Sequence, residues 1–299
     1  MPSPWTFDLR PSTSPVIGIT LGDAAGIGPE VVDGALASGK LDAAFTYRLI
    51  GERGNAIVGE PTPDTAQAAR AALEESAELL RGGEIAAVVT GPIHKARMQA
   101  IGFEFPGQTE FYAHRAGVSN FAMCLTGGAL TVALVTAHVP LKDVARLLSV
   151  SEIVRIGKLL DAFLRARLHR EPRIAVAGLN PHAGESGTMG REEIEIITPA
   201  IAALDSPRFT GPISPDTVFH RAASGEFDGV LCMYHDQGLI PLKLHAFDEG
   251  VNVTLGLPFP RTSPDHGTAF EIAGRGIARP DSMIAAIRLA VELVMSRAG

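Results

Sequence analysis

The stretch that decides the fold runs from Asp228 to Ala278 and reads DGVLCMYHDQGLIPLKLHAFDEGVNVTLGLPFPRTSPDHGTAFEIAGRGIA. It begins with a short apolar run, 229–233, which stops at a polar turn that contains His235 and Asp236. An apolar run of that length, bounded by turn residues, predicts a buried strand. Since ligands bind outside the carboxyl ends of strands in open α/β sheets, the end of this strand is a candidate site.

Upstream of this stretch, apolar runs alternate with segments of helical spacing. Residues 16–21, 47–51 and 85–89 predict strands, and 65–81 predicts a helix between the second and the third. Downstream, apolar residues recur at helical spacing from Asp281 to Ser296. Strands that alternate with helices are typical of a parallel sheet covered on both faces, so we predict an α/β fold, and a length of 299 residues suits two domains.

Composition narrows the classes of function. A net charge of -7 argues against a general nucleic-acid binder, because no basic face is available to displace counterions. Neither of the two cysteines, Cys124 and Cys232, has a CxxC spacing, which favours buried free thiols of a reducing cytoplasm. We expect residues 1–15, rich in Pro and Ser, to form a flexible leader, and no apolar window reaches the roughly 20 residues of a membrane span.

Three predicted strands end in histidine. TVALVTAHVP, IAVAGLNPHAG and GVLCMYHDQG each join an apolar run to a polar turn, and they place His138, His182 and His235 at strand ends. Strand ends of this kind meet at one edge of a parallel sheet. Neutral imidazoles favour zinc, cobalt, nickel or related divalent ions, and three protein ligands leave a coordination position open for substrate. The sequence therefore predicts a catalytic metal site.

Two cations and an amide follow the last of these histidines. Lys243, Asn252 and Arg261 carry the groups that a phosphate monoester needs, and Arg261 sits in an otherwise uncharged turn between prolines. Two other classes of function fit the same residues. A non-catalytic sensor would bind a phosphate ester without reducing a nicotinamide cofactor, and a metal-dependent hydrolase would activate water at the open position.

Seven motifs together are similar to one enzyme family. GDAAGIGPE, TGPIHK, FPGQTEF, TAHVPL, GLNPHAGE, MYHDQG and GVNVTLGLPFPRTSPDHGTA cover nearly the whole chain from Val16 onward. They resemble the 4-hydroxythreonine-4-phosphate dehydrogenase family of pyridoxal phosphate biosynthesis. The resemblance implies two α/β/α domains around a cleft, as in isocitrate and isopropylmalate dehydrogenases, and a homodimer that shares its active sites. We expect residues 16–118 with 262–299 to form the first domain, and 119–261 the second, which would carry the metal and substrate residues.

The resemblance also assigns roles to residues of this chain. It implies that the three histidines bind a divalent metal (zinc, cobalt or magnesium), one of them donated across the dimer. The implied substrate residues are Gln108, Thr109, Lys243, Asn252 and Arg261. We expect Asp236, beside His235, either to hydrogen-bond a metal-binding imidazole or to act as a proton acceptor. The nicotinamide cofactor, NAD or NADP, would be held by glycine-rich turns between Leu257 and Gly276.

The implied reaction is oxidation of the C3 hydroxyl of 4-phosphohydroxy-L-threonine by NAD. Loss of CO2 would follow, with metal assistance, to give 3-amino-2-oxopropyl phosphate. Sibling activities in the family are oxidation of 4-phosphothreonate or phosphoerythronate and of unphosphorylated cis-dihydrodiols. Lys243 and Arg261 argue for a phosphorylated substrate.

Two positions depart from the family's pattern. Ala24 stands where the family usually has proline, a small change in the rigidity of a turn. Gln108 stands where the family usually has a histidine that contacts substrate. An amide still forms hydrogen bonds, but it neither carries charge nor titrates near neutrality, so Gln108 puts the choice of substrate in question.

Overall fold

A computed structural model describes residues 15–298, so all but the last residue of the expected leader lies outside the described part. The described chain alternates strands and helices. The strands are β1 (Val16–Thr20), β2 (Thr46–Ile50), β3 (Ala87–Thr90), β4 (Ala122–Gly127), β5 (Leu130–Leu134), β6 (Ile174–Ala177), β7 (Phe209–Ile213), β8 (Gly229–Cys232), β9 (Val251–Leu255) and β10 (Arg261–Pro264). The helices are α1 (Gly28–Ala37), α2 (Pro63–Arg81), α3 (Lys95–Ala100), α4 (Gln108–Arg115), α5 (Val144–Leu147), α6 (Val150–Leu168), α7 (Thr198–Leu204), α8 (Pro215–Ala223), α9 (His235–Ala246) and α10 (Asp281–Ala298).

The chain divides into two compact units. The first contains the described residues up to Ser119 together with those from Val251 onward, and the second runs from Asn120 to Gly250. The sequence had placed 251–261 in the second domain. These residues include β9, which pairs with β10, so the backbone hydrogen bonds of the sheet assign them to the first unit.

In the first unit the strands lie in the order β2-β1-β3-β10-β9. The first three pairs are parallel and the pair of β9 and β10 is antiparallel. Helix α2 begins at a capping box, in which the Thr62 and Thr65 side chains each accept a hydrogen bond from the other's backbone amide. Its buried residues Ala66, Ala69 and Leu73 recur at helical spacing, which is the amphipathic pattern expected of a helix that covers a sheet.

In the second unit the strands lie in the order β4-β5-β8-β6-β7, and only the pair of β4 and β5 is antiparallel. Every residue of β5, β6 and β8 is buried. Continuous apolar runs of this kind are typical of parallel strands covered on both faces. The carboxyl ends of β5, β6 and β8 therefore lie at one edge of this sheet.

One strand was not predicted, and one local expectation was wrong. Strand β7, in the proline-rich residues 206–215, is parallel to β6. The polar turn after β8 is the first turn of a helix, because α9 begins at His235 and continues through Pro241. Gly238 and Pro241 mask this helix in the sequence, since both residues lower helix propensity.

The prediction of buried free thiols is confirmed. Cys124 and Cys232 are free and buried, and burial raises the pKa of the Cys124 thiol to about 12, so it is not a nucleophile. Within residues 15–298, none of the helices combines the length and the apolar character that crossing a bilayer requires.

Candidate active site

Arg261 is the centre of a polar cluster in the first unit. It is the first residue of β10, lies opposite Val88 of the parallel strand β3, and is only 4% exposed. On the other side, Thr262 lies opposite Val253 of β9, which brings Thr254 beside Arg261. The central position of β10 between two strands thus buries a guanidinium among side chains of its neighbours.

The guanidinium donates to four neutral acceptors. Nη2 donates to Oγ1 of Thr90 at 2.7 Å and to Oε1 of Gln108 at 2.8 Å. Nη1 makes longer contacts, of 3.4 Å each, with Oγ1 of Thr109 and Oγ1 of Thr254. The fifth donor, Nε, is buried and has no partner within the described residues.

None of the described residues supplies Arg261 with a carboxylate partner. Burial lowers the pKa of the guanidinium to about 10, so it still carries its charge at neutral pH. The Tyr112 ring centroid lies 6.0 Å from the guanidinium carbon, but burial raises the pKa of that phenol to about 12 and it stays neutral. A buried charge without a counterion is costly, so this cluster is arranged to receive an anion.

Helix α4 begins beside the guanidinium. Its N-cap, Gly107, has no side chain to cap the first turn, and Gln108 and Thr109 are the first two helical residues. Free amide groups and the helix dipole make such an N-terminus favourable for anions. Thr109, an implied substrate residue, lies inside the helix with its hydroxyl next to Arg261.

The predicted substrate residues are thus partly assembled. Gln108, Thr109 and Arg261 are in mutual contact, and Asn252 lies on β9 two residues before Thr254, on the same face of that strand. Oδ1 of Asn252 is buried without a partner in the described part of the chain. Lys243 lies on α9 of the second unit and is not among the hydrogen-bond partners of Arg261.

Two of the three predicted metal ligands are neighbours. His138 follows β5 and His235 follows β8, and these strands are parallel partners in which Leu134 lies opposite Cys232. The centroids of the two imidazole rings are 5.7 Å apart. Nδ1 of His235 lies 2.7 Å from Oδ1 of Asp236, so a proton on Nδ1 leaves Nε2 free to bind a metal.

His182 follows β6 in an unusual turn. Residues 182–186 all have positive φ, and only Gly184 among them is a glycine. The imidazole is exposed, with Nδ1 3.8 Å from Oδ2 of Asp216. In the part of one chain that the structure describes, no group of three His, Cys, Asp or Glu residues is arranged to hold a metal ion. Within one chain, therefore, His182 does not complete a site with the other two histidines.

Glu193, which sequence reasoning missed, holds this turn. Oε1 accepts from the backbone amides of Leu179 and Asn180 at 2.7 Å each, and Oε2 accepts from the Asn180 side chain at 2.9 Å. Its side chain is 3% exposed and lies in a π-helical turn that precedes α7. A signal was present: Glu193 occupies the first position of the buried helical stripe that continues through Ile197, Ala200 and Leu204.

One of the turns expected to hold a nicotinamide cofactor, which contains Thr268, packs against the glycine-rich turn that follows β1 in the first unit. The amide of Ile27, in the turn after β1, donates to the carbonyl of Thr268 at 2.9 Å. A Cβ on Gly26 would lie 2.6 Å from that carbonyl oxygen, so only glycine allows this approach. Nε2 of His266 is buried without a partner within residues 15–298, and burial lowers the pKa of the ring. The structure adds His266 to the candidate residues.

Comparison with solved structures supports the class of fold and of enzyme. A 4-hydroxythreonine-4-phosphate dehydrogenase from Klebsiella pneumoniae matches with a TM-score of 0.81 and 36% identity, over 94% of this chain and 100% of that one. A terephthalate 1,2-cis-dihydrodiol dehydrogenase from Burkholderia xenovorans matches with a TM-score of 0.65 and 26% identity, over 93% and 97%. The chain is thus an α/β oxidoreductase, and its predicted fold class is confirmed.

Sequence comparison identifies the family. A 4-hydroxythreonine-4-phosphate dehydrogenase from Desulfosudis oleivorans is 43% identical, over 93% of this chain and 96% of its own length. The model of the family described as pyridoxal phosphate biosynthetic protein PdxA matches residues 33–290. The chain belongs to the PdxA family, and the resemblance read from its motifs is confirmed.

Proposed function

We propose that this protein oxidises 4-phosphohydroxy-L-threonine at its C3 hydroxyl with NAD and that decarboxylation then gives 3-amino-2-oxopropyl phosphate. The observation that carries the proposal is the buried guanidinium of Arg261, which has no carboxylate partner within residues 15–298. A phosphate monoester supplies the missing negative charge and accepts from the unused Nε donor. Thr109 and Asn252 would complete the phosphate and substrate contacts, with Lys243 as a further cation.

The imidazoles of His138, His182 and His235 are a suitable donor set for a divalent metal (zinc, cobalt or magnesium). Such an ion, when bound, lowers the pKa of a substrate alcohol and stabilises negative charge on a carbonyl oxygen. Asp236 keeps the proton of His235 on Nδ1, which presents Nε2 to the ion. The cofactor, NAD or alternatively NADP, would bind along the glycine-rich turns, with His266 as a candidate contact.

The same histidines support a homodimer with shared active sites. His138 and His182 are exposed on a single chain, and the described residues of one chain do not form a site of three ligands. Ile240, Leu244 and Phe247 recur along α9 and are 64%, 87% and 76% exposed. An apolar stripe of this kind on the helix that begins at His235 favours contact with another subunit. We propose a dimeric, cytoplasmic enzyme.

Turnover of defined substrates tests the proposal. Purified protein with 4-phosphohydroxy-L-threonine, NAD and zinc, cobalt or magnesium should form NADH, and a chelator should abolish the rate until metal is added back. Full turnover after metal removal would contradict the role of the ion. Release of inorganic phosphate without NADH would indicate a hydrolase instead.

A second candidate substrate is favoured by Gln108. This residue contacts the guanidinium where the family resemblance leads us to expect histidine, so the pocket differs at a position next to the proposed phosphate. NADH formation with 4-phosphothreonate or phosphoerythronate, and none with 4-phosphohydroxy-L-threonine, would assign the sibling activity. The buried cation argues against an unphosphorylated dihydrodiol as substrate.

A further inference from the structure

Both polar ends of the Gln108 side chain are occupied. Oε1 accepts from Nη2 of Arg261 at 2.8 Å, and Nε2 donates to the carbonyl oxygen of Gly91 at 3.0 Å. The orientation of the amide is determined by these partners, because a guanidinium only donates and a carbonyl only accepts. These two bonds fix the orientation of the Gln108 side chain against Arg261, although one amide hydrogen and one oxygen lone pair remain for a ligand.

The partners of Arg261 share one property, which is the absence of charge. Arginine in a buried site usually pairs with a carboxylate, and the pair is then electrically neutral. Here three threonine hydroxyls and one amide orient the guanidinium and do not neutralise its charge. Glu110 lies in the first turn of the same helix, and its charge raises the pKa of the guanidinium, but burial has the larger effect and no carboxylate within residues 15–298 forms an ion pair with Arg261.

We propose that Gln108 is a positioning residue that fixes the Arg261 guanidinium without neutralising it, and thereby makes the pocket select substrates that carry an anionic group such as a phosphate monoester. This inference rests on the phosphate site proposed above. A carboxylate at position 108 would form the ion pair itself and repel the ligand. An apolar side chain of the same length would preserve the charge but not the orientation.

Three variants of the full-length, metal-loaded protein separate the effect of a negative charge at position 108 from the effect of losing the amide. Gln108→Glu and Gln108→Met have nearly the same size as glutamine, and Gln99→Glu, on the exposed surface of α3, is a matched control for one added negative charge in the same unit. Sulfate is the probe, since it stays dianionic across the working pH range. The readout is the rise of Tm with sulfate concentration, which requires no turnover.

We expect Gln108→Glu to weaken sulfate binding by about 100-fold or more, and Gln108→Met by only about 3- to 10-fold. Without sulfate the order should reverse: Gln108→Glu should have the higher Tm, because it retains a bond to Arg261 that methionine lacks. Gln99→Glu should bind sulfate like the wild type. In turnover, Gln108→Glu should raise KM for the phosphorylated substrate far more than it lowers kcat.

The outcomes distinguish an error in the proposed phosphate site from an error in the role of Gln108. If sulfate does not raise the Tm of the wild type, the phosphate site itself is wrong. If the wild type binds sulfate and Gln108→Glu binds it as well as Gln108→Met does, the phosphate site stands and the role of Gln108 is wrong. If Gln108→Glu does not fold, Gln108→Met decides, because complete loss of sulfate binding there would show that the amide itself binds the anion.

Discussion

The Arg261 cluster and the strand-end histidines are built in opposite ways. The guanidinium is buried and donates hydrogen bonds to side chains on β3, β9 and α4, all within the first unit. The histidines lie at the edge of the sheet of the second unit, where His138 and His182 are exposed and only His138 and His235 are in ring contact. The side-chain partners of Arg261 all lie in one chain, whereas the described residues of one chain do not form a group of three metal ligands.

This difference separates two kinds of preorganisation. In the Arg261 cluster the protein bears the cost of burying a charge before any ligand arrives, so binding an anion recovers that cost. In the histidine group His138 and His182 are exposed, so in the proposed dimer the free-energy cost of ordering the rings would be met by subunit assembly and metal binding. Substitutions should therefore act on ligand affinity in the first site and on assembly or metal loading in the second.

The largest expected effect concerns the proposed metal site. His182→Ala and His235→Ala should each reduce turnover by about 1,000-fold or more, since each removes a proposed ion ligand. If the ligands come from two subunits, co-expression of the two variants with different tags should restore about a quarter of the wild-type activity, because half of the dimers are mixed and one of their two sites is intact. Steady-state NADH formation by the pooled dimers measures this.

Two controls make the complementation result decisive. Each variant should still be a dimer by light scattering, and co-expression of His138→Ala with His235→Ala should stay inactive, since these rings are neighbours in one chain. Mixed dimers without activity, from variants that are individually dimeric, would contradict a site shared between subunits.

The next effect concerns the buried cation. Arg261→Met should raise KM for the phosphorylated substrate by roughly one to two powers of ten, with a smaller change in kcat. It should also leave Tm unchanged or raise it, because methionine removes a buried charge that has no counterion within residues 15–298. Arg53→Met, which removes an exposed arginine of the first unit, is the matched control. A marked fall in Tm with unchanged KM would mean that Arg261 serves the fold alone.

The sequence predicts features of these two sites that depend on local residues, but not those that depend on contacts between residues far apart in sequence. The strand-end position of His138, His182 and His235 follows from local apolar runs, and the structure places all three after buried strands. The contacts of Arg261 with Thr90 and Thr254 were not predictable, because they depend on β10 lying between β3 and β9. No periodicity encodes which strands become neighbours.

The turn after β6 shows a second limit. Positive φ at successive residues other than glycine is disfavoured by local sterics, so no propensity argument predicts it at His182 or Glu185. The conformation is sustained by Glu193, 11 residues after His182 in sequence. A buried carboxylate that satisfies backbone amides leaves only one trace in the sequence, a charged residue at a core position of a helix.

Glu193 gives a smaller expected effect. Glu193→Ala leaves the amides of Leu179 and Asn180 buried without their acceptor and should release the His182 turn. We expect the affinity for cobalt, measured by its visible absorbance, to fall by about 10-fold. Glu193→Gln keeps one oxygen for both amides and should lose less. Glu195→Ala, an exposed neighbour, is the control, and an equal loss there would remove the special role of Glu193.

The smallest expected effect is on the stability of the second unit and does not involve the proposed metal ligands. Asp228, which precedes β8, accepts from Arg170 and from the backbone amide of Arg173, and these hydrogen bonds lower its pKa to about 2. Because the pKa of the folded state lies below that of the unfolded state, the stabilisation is fully present above pH about 4 and is lost as the pH falls towards 2. The arginines are about half exposed, so solvent screening should keep the contribution below about 1 kcal/mol. Urea unfolding at pH 5 and pH 3 should show a smaller loss of stability in Asp228→Asn than in the wild type, and parallel losses would exclude this carboxylate as the cause.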